Sequence, residues 1–320
     1  MERRTVNPPL PGDRVVAFAL ALPDPAGQQD AIWRFGASIS TLRAHNGDVP
    51  VVVFVYGDVP AELTTLCAVH GVSIRQLEPF RTRLAALSPV GWPVFVGAPL
   101  LARLLVFEEL ALLAPSQVLL CDHQAIVYGD VADLFARYRG VDLVAREQLH
   151  SARGTHGIDR RLLDQPLLAR LATQEGLPLV PPFDPGVVLL NNDLWSRCAR
   201  LQARLVDYAW RLAVGATLQP QQPVPAAGID LAAMRATDDD VVRALPFPSV
   251  DQRLLVEVAW WLTLGHVVGL TTADFSPLDV AIGDELAQPF GDACIVGHHH
   301  GDAPACLAGW LHERTVALAS

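Results

Sequence analysis

What most constrains this chain is a series of short, almost unbroken apolar runs separated by segments of helix length. Arg14–Leu22 is apolar after its first residue, and Val51–Tyr56 and the run ending at Cys121 are apolar nearly throughout. A strand with one wet face alternates apolar and polar residues, whereas a continuous run is covered on both faces. Between the runs, Gln29–Ala44 spaces Ile32, Trp33, Ile39 and Leu42 at helical intervals. A second helix is expected over Pro60–His70, with Pro at its start and Gly71 just past its end. Val72–Leu77, Val141–Arg146 and Val187–Leu190 continue the strands. Strands alternating with helices predict a single α/β domain: a Rossmann-like, mainly parallel sheet with helices on both faces.

Around this frame, residues 1–13 are Pro-rich and read as a loose arm, and 14–320 read as the domain. A mobile loop is expected over Ser151–Asp164, and a long helix from an Asn192 cap to Leu212. Residues 215–248, with Gln219–Pro225 inside them, read as an insertion or mobile connection. A helix follows over Asp251–Leu264, then short strands among loops to about 310.

Composition narrows the function. With 51% hydrophobic residues the chain can build a large core. A net charge of −10 and the lack of any basic cluster argue against nucleic acid as a partner. All 24 Lys and Arg positions are Arg, so anionic groups must be met by Arg, His, backbone N–H or metal. Five dispersed cysteines, Cys67, Cys121, Cys198, Cys294 and Cys306, suit free thiols in a reducing compartment. No run is long enough for a membrane span, so the expected location is cytoplasmic; the all-Arg usage fits a GC-rich, bacterial source.

The chemistry concentrates where Leu101–Phe135 runs from helix to apolar strand to Asp122, then through a turn to a new helix. A carboxylate closing an apolar strand needs water, a cation or a partner. In an open α/β sheet that edge is where ligands bind. Further polar groups punctuate apolar sequence at Asp184 and Gly186, at Asp251-Gln252, and at His298-His299-His300-Gly301. Neither a Gly-rich phosphate loop nor a Gly-x-Ser-x-Gly elbow is present.

In this order, from about residue 14 to 310, these segments resemble the family-8 type of glycosyltransferase with the GT-A fold. Leu101-Ala102-Arg103-Leu104 is similar to that family's Tyr-Ala-Arg-Leu, and Asp122-His123-Gln124 to its Asp-x-Asp. Phe183-Asp184-Pro185-Gly186-Val187 is similar to Phe-Asn-x-Gly-Val, and His298 with Gly301 to His-x-x-Gly. The resemblance implies a retaining transfer of a hexose from a nucleoside diphosphate sugar, UDP foremost, to an acceptor hydroxyl. It implies a divalent metal, Mn or Mg, held by Asp122, Gln124 and His298. Donor contacts would come from Asp24, Arg103, Asp122, Asp184, Gly186, His299, His300 and Gly301, with Asp251 and Gln252 beside the reacting carbon.

Three departures stand out. Gln124 replaces the second acid, Asp184 replaces an Asn, and Pro304 replaces a Lys that meets the diphosphate. A neutral amide oxygen lowers metal affinity, so a weak or absent metal requirement is expected. Arg103, His299 or His300 is then expected to neutralise phosphate. Two alternatives stay open: a GT-A relative that binds nucleotide sugar without catalysis, and a zinc hydrolase using Asp122, His123 and the triple His.

Overall fold

The computed structural model describes residues 13–22, 25–87, 99–147, 180–181, 183–203, 260, 264, 268–278, 280–282 and 296–298. Strands β1 (Arg14–Ala21), β2 (Val51–Tyr56) and β3 (Val72–Leu77) alternate with helices α1 (Pro25–His45), α2 (Ala61–Val69) and α3 (Phe80–Leu87). A 3-10 helix (Pro99–Val106) leads into α4 (Phe107–Leu113), β4 (Gln117–Cys121), β5 (Ala125–Val127) and α5 (Val131–Arg137). After these come β6 (Leu143–Glu147), β7 (Phe183–Leu190), α6 (Leu194–Arg200), β8 (Phe275–Pro277), β9 (Val280–Ile282) and β10 (Val296–His298).

Seven strands form one sheet in the order β3-β2-β1-β4-β7-β6-β8. β7 alone runs against its neighbours; every other pairing in the sheet is parallel. The carboxyl ends of β1, β2, β3 and β4 therefore share one edge, as a βαβ sheet requires.

The unbroken apolar runs are explained by two cores, one on each face. Along β1, Val16, Phe18 and Leu20 pack with Ile32, Phe35 and Ile39 of α1 and with Leu134 and Phe135 of α5. Val15, Ala17, Ala19 and Ala21 point the other way, into a core with Leu104, Leu110, Trp195 and Trp260. Three alanines on that face leave room for the 3-10 helix to lie close against β1, where its Ala102 is fully buried.

The structure adds an element the sequence does not advertise. The turn after Asp122 opens into β5, which joins β10 and β9 in a separate three-stranded sheet. Polar side chains of α1 anchor β5: the Ser38 hydroxyl donates to Ala125 O, and Thr41 Oγ1 accepts from Val127 N at 3.2 Å. Asn46, at the end of α1, accepts from Val131 N at 2.8 Å and donates to Gly129 O at 2.9 Å, fixing the start of α5.

Two expectations need correction. Asn192 does not cap a helix: its φ is 52°, and its Nδ2 donates to Asp142 Oδ1 at 2.7 Å. The N-cap position belongs to Asp193, in the left-handed region at φ 58°, and Leu194 N is taken by Asn191 O at 3.0 Å. The segment before Phe107, expected to be ordinary helix, is wound as a 3-10 helix. The arm at 1–12, the 151–164 loop and the 215–248 insertion lie outside the described residues.

Candidate functional site

Asp122 follows the last residue of β4, buried to 3% exposure at the carboxyl edge of the sheet. Its Oδ1 accepts from Gln124 N at 2.8 Å, and its carbonyl accepts from Ala125 N at 3.1 Å, so the residue shapes the turn that launches β5. His123 Nδ1 lies 3.1 Å from the same Oδ1. On its other side, Oδ2 is 3.9 Å from Arg103 Nη2.

Arg103 comes from the 3-10 helix and is buried to 2% exposure, which excludes an ordinary solvated surface arginine. Because that helix lies against the alanine face of β1, the guanidinium enters the core side of the sheet edge instead of water. Its Nη1 donates to Pro185 O, and its Cζ sits 5.7 Å from the ring centroid of Trp260. A buried cation is sustained by an opposite charge, carbonyl dipoles and an aromatic face, and all three are present.

Pro185 belongs to an irregularity in β7. Pairing with β6 runs regularly from Leu143–Leu190 to Ala145–Val188, then jumps so that Arg146 faces Asp184. The extra residues Pro185, Gly186 and Val187 form a bulge, a device that re-aims groups at sheet edges near functional sites. Asp184, at 1% exposure, stabilises it by accepting from Gly186 N at 2.7 Å. Gly186 O in turn accepts from Asp122 N at 2.7 Å. The bulge thus turns Pro185 O to Arg103 and Gly186 O to Asp122, locking four of the expected donor residues, Arg103, Asp122, Asp184 and Gly186, into one corner.

β10 reaches the same corner through its backbone. Antiparallel pairing sets His298 opposite Ala125, three residues beyond Asp122, and parallel pairing sets it beside Ile282. The two most separated of the expected metal ligands thus come together in the backbone, although the His298 side chain lies outside the described set. Asp24, Asp251, Gln252, His299, His300 and Gly301 also lie outside the described residues.

The described donors do not make a cage for a hard divalent cation. Of the expected metal ligands, those described are the Asp122 carboxylate, which faces Arg103 and His123, and the neutral amide of Gln124. Among the described residues no group of three His, Cys, Asp or Glu side chains could hold a metal ion. The expected zinc centre likewise has only its Asp122–His123 contact among them.

Neighbouring thiols are inert packing groups. Burial pushes the Cys121 thiol up to about 12, with Asp122 adding to the rise and Arg103 opposing it. Cys67, Cys121 and Cys198 are all free and buried. Among the described residues, no helix is long and apolar enough to cross a membrane.

Sequence reading missed Trp260, the backbone of the β7 bulge, and the Ser38, Thr41 and Asn46 side chains that hold β5 and α5. The bulge had a local signal in Asp184-Pro185-Gly186, whereas Trp260 carries none beyond being aromatic.

No protein-family model matches the chain, and no curated protein matches it in sequence. Solved structures do match. One is the galactosyltransferase LgtC in complex with donor and acceptor sugar analogues, at 13% identity and a TM-score of 0.53, covering 95% of each chain. Another is an active-site mutant of LgtC, at 14% identity and a TM-score of 0.51, covering 92% of this chain and 95% of that one. At such identities the likeness concerns the fold, and the fold is the GT-A arrangement anticipated above.

Proposed function

We propose that this protein is a nucleotide-sugar glycosyltransferase of the family-8-like kind. It moves a hexose from a UDP-sugar to an acceptor hydroxyl with retention of configuration. The observation that carries the reading is the buried Arg103–Asp122 corner at the carboxyl end of β4, next to the bulge that bears Asp184 and Gly186. Ligands of open α/β sheets sit at this edge. A GT-A fold shared with an enzyme solved with donor and acceptor sugar analogues supports the same pocket.

In this reading Asp122 takes ribose hydroxyls and Arg103 meets the sugar or diphosphate, a task suited to a fixed guanidinium fork. Asp184 takes sugar hydroxyls, and Gly186 allows close approach of the bulge. Asp24 lies against the nucleoside, and His298, His299, His300 and Gly301 approach the diphosphate. Asp251 holds a sugar hydroxyl, and Gln252 lies opposite the departing diphosphate. Leaving-group charge is met by positioned donors, which is how such transfers gain most of their stabilisation. With the neutral amide of Gln124 in place of a second acid beside Asp122, Mn or Mg is bound weakly or is not required.

Calorimetry with UDP, with and without Mn, tests this, followed by donor hydrolysis and an acceptor screen. UDP binding with slow release of free sugar is expected. Gln124 in place of a second acid favours one other reading, a nucleotide-sugar binder without transferase activity. That reading gains if binding is tight and neither hydrolysis nor transfer is found. Absence of binding to UDP, GDP and ADP alike would refute both.

A further inference from the structure

We infer that Trp260 is a positioning residue for donor binding: its indole face fixes the Arg103 guanidinium against Asp122 and the β7 bulge. The inference rests on the nucleotide-sugar reading above.

Arg103 ties two separate pieces of the corner together. One nitrogen donates to Pro185 O in the bulge, and another lies 3.9 Å from Asp122 Oδ2 beyond β4. These contacts leave the flat side of the guanidinium to be covered, and Trp260 covers it at 5.7 Å. The ring is itself wedged against Phe107 of α4, centroid to centroid 5.9 Å at 54°, and has no exposed surface. Among the described residues its Nε1 has no hydrogen-bond partner, and the contacts seen on the ring are those of its faces with Arg103 and Phe107. A desolvated cation over an indole is the strongest form of cation–π contact, and it constrains the tilt of the fork as well as its position.

Trp195 supplies the contrast within the same core. It is equally buried, and among the described residues its Nε1 also lacks a partner, yet no cation among them lies over its ring. Both tryptophans fill volume, but among the described residues it is Trp260 whose ring face meets the Arg103 guanidinium.

The experiment measures UDP affinity by calorimetry, alongside melting temperature, for wild type, Trp260→Phe, Trp260→Leu, Trp260→Met and Trp195→Leu. Trp260→Leu removes the aromatic face and is expected to weaken UDP binding about ten- to thirty-fold. Trp260→Met is expected to show the same loss, and its flexible, unbranched chain adapts better to the emptied site, so it decides the matter if the leucine variant does not fold. Trp260→Phe keeps a face and is expected within about three-fold of wild type. Trp195→Leu is expected to lower the melting temperature with UDP affinity within about two-fold of wild type. Wild-type affinity in Trp260→Leu or Trp260→Met, or an equal loss of affinity in Trp195→Leu, would overturn the positioning role. If wild type itself binds none of UDP, GDP and ADP, the transferase reading fails first and takes this inference with it.

Discussion

Replacing Arg103 by Met keeps the length of the side chain but removes its charge and its donors. At the observed 3.9 Å, and with an effective dielectric of about 20, unit charges attract by about 4 kcal/mol. The variant also loses the bond to Pro185 O and leaves the Asp122 carboxylate in a site only 3% exposed. Breaking a buried pair from one side costs about 3–5 kcal/mol, most of it from the charge left behind. Asp122→Asn breaks the pair from the other side; it strands the guanidinium but keeps an oxygen for Gln124 N. In the double variant neither charge remains, so its loss should fall short of the sum of the singles by about 2–4 kcal/mol. Urea unfolding of the four proteins, followed by circular dichroism, reads this cycle directly. If each single variant costs under about 1 kcal/mol and the two add to within about 0.5 kcal/mol, the corner is not an energetic unit. Burial would then not make this ion pair costly to break.

Other consequences can be checked separately. Asp184→Ala strands Gly186 N inside the bulge and should cost about 1–3 kcal/mol in urea unfolding, whereas Asp184→Asn keeps the acceptor and should cost less than half of that. Equal losses in the two variants would show that the bulge does not depend on this bond. Wild-type affinity for UDP should change less than about ten-fold between Mn and EDTA, while Gln124→Asp should bring in a Mn dependence larger than that; calorimetry in both buffers decides, and a strong wild-type requirement counts against the donor-set argument. Stability should decline on the alkaline side. Burial holds the Cys67 and Cys121 thiols up at about 12, and raises Cys198 and Tyr56 as well. Unfolded thiols release protons near about pH 8.5. The folded chain therefore holds more protons above that pH, and stability that is complete below it is lost as pH rises toward 12. Unfolding free energies that stay flat from pH 8 to 11 would contradict these buried assignments.

The legibility of the chain follows the range of the forces involved. β1, β2 and β4 were readable because burial on both faces leaves a local signature, a run without polar breaks; β3, a half-exposed edge strand with Ser73, Arg75 and Gln76 in it, lacks that signature. Asp122 and Arg103 could be picked out because a charge in apolar sequence is rare enough to need a reason. β5 escaped notice because three residues are too few to show a period, and its bonding comes from Ser38 and Thr41, far back in the chain. Asn192 misled for a related reason. A good capping residue beside a helix is only a preference, and here the long-range bond to Asp142 prevailed.

By itself the order of residues determined the class of fold, the strand that ends at Asp122 and the residue types able to meet a phosphate, since hydrophobic periodicity and charge are written along the chain. Which groups actually touch was decided only in three dimensions. The bulge at Pro185, the pairing of His298 with Ala125 and the seating of Arg103 on Trp260 join residues dozens to more than a hundred positions apart. Such contacts depend on how two faces of a sheet are filled, and no local pattern encodes the distance between side chains that meet only when the core closes.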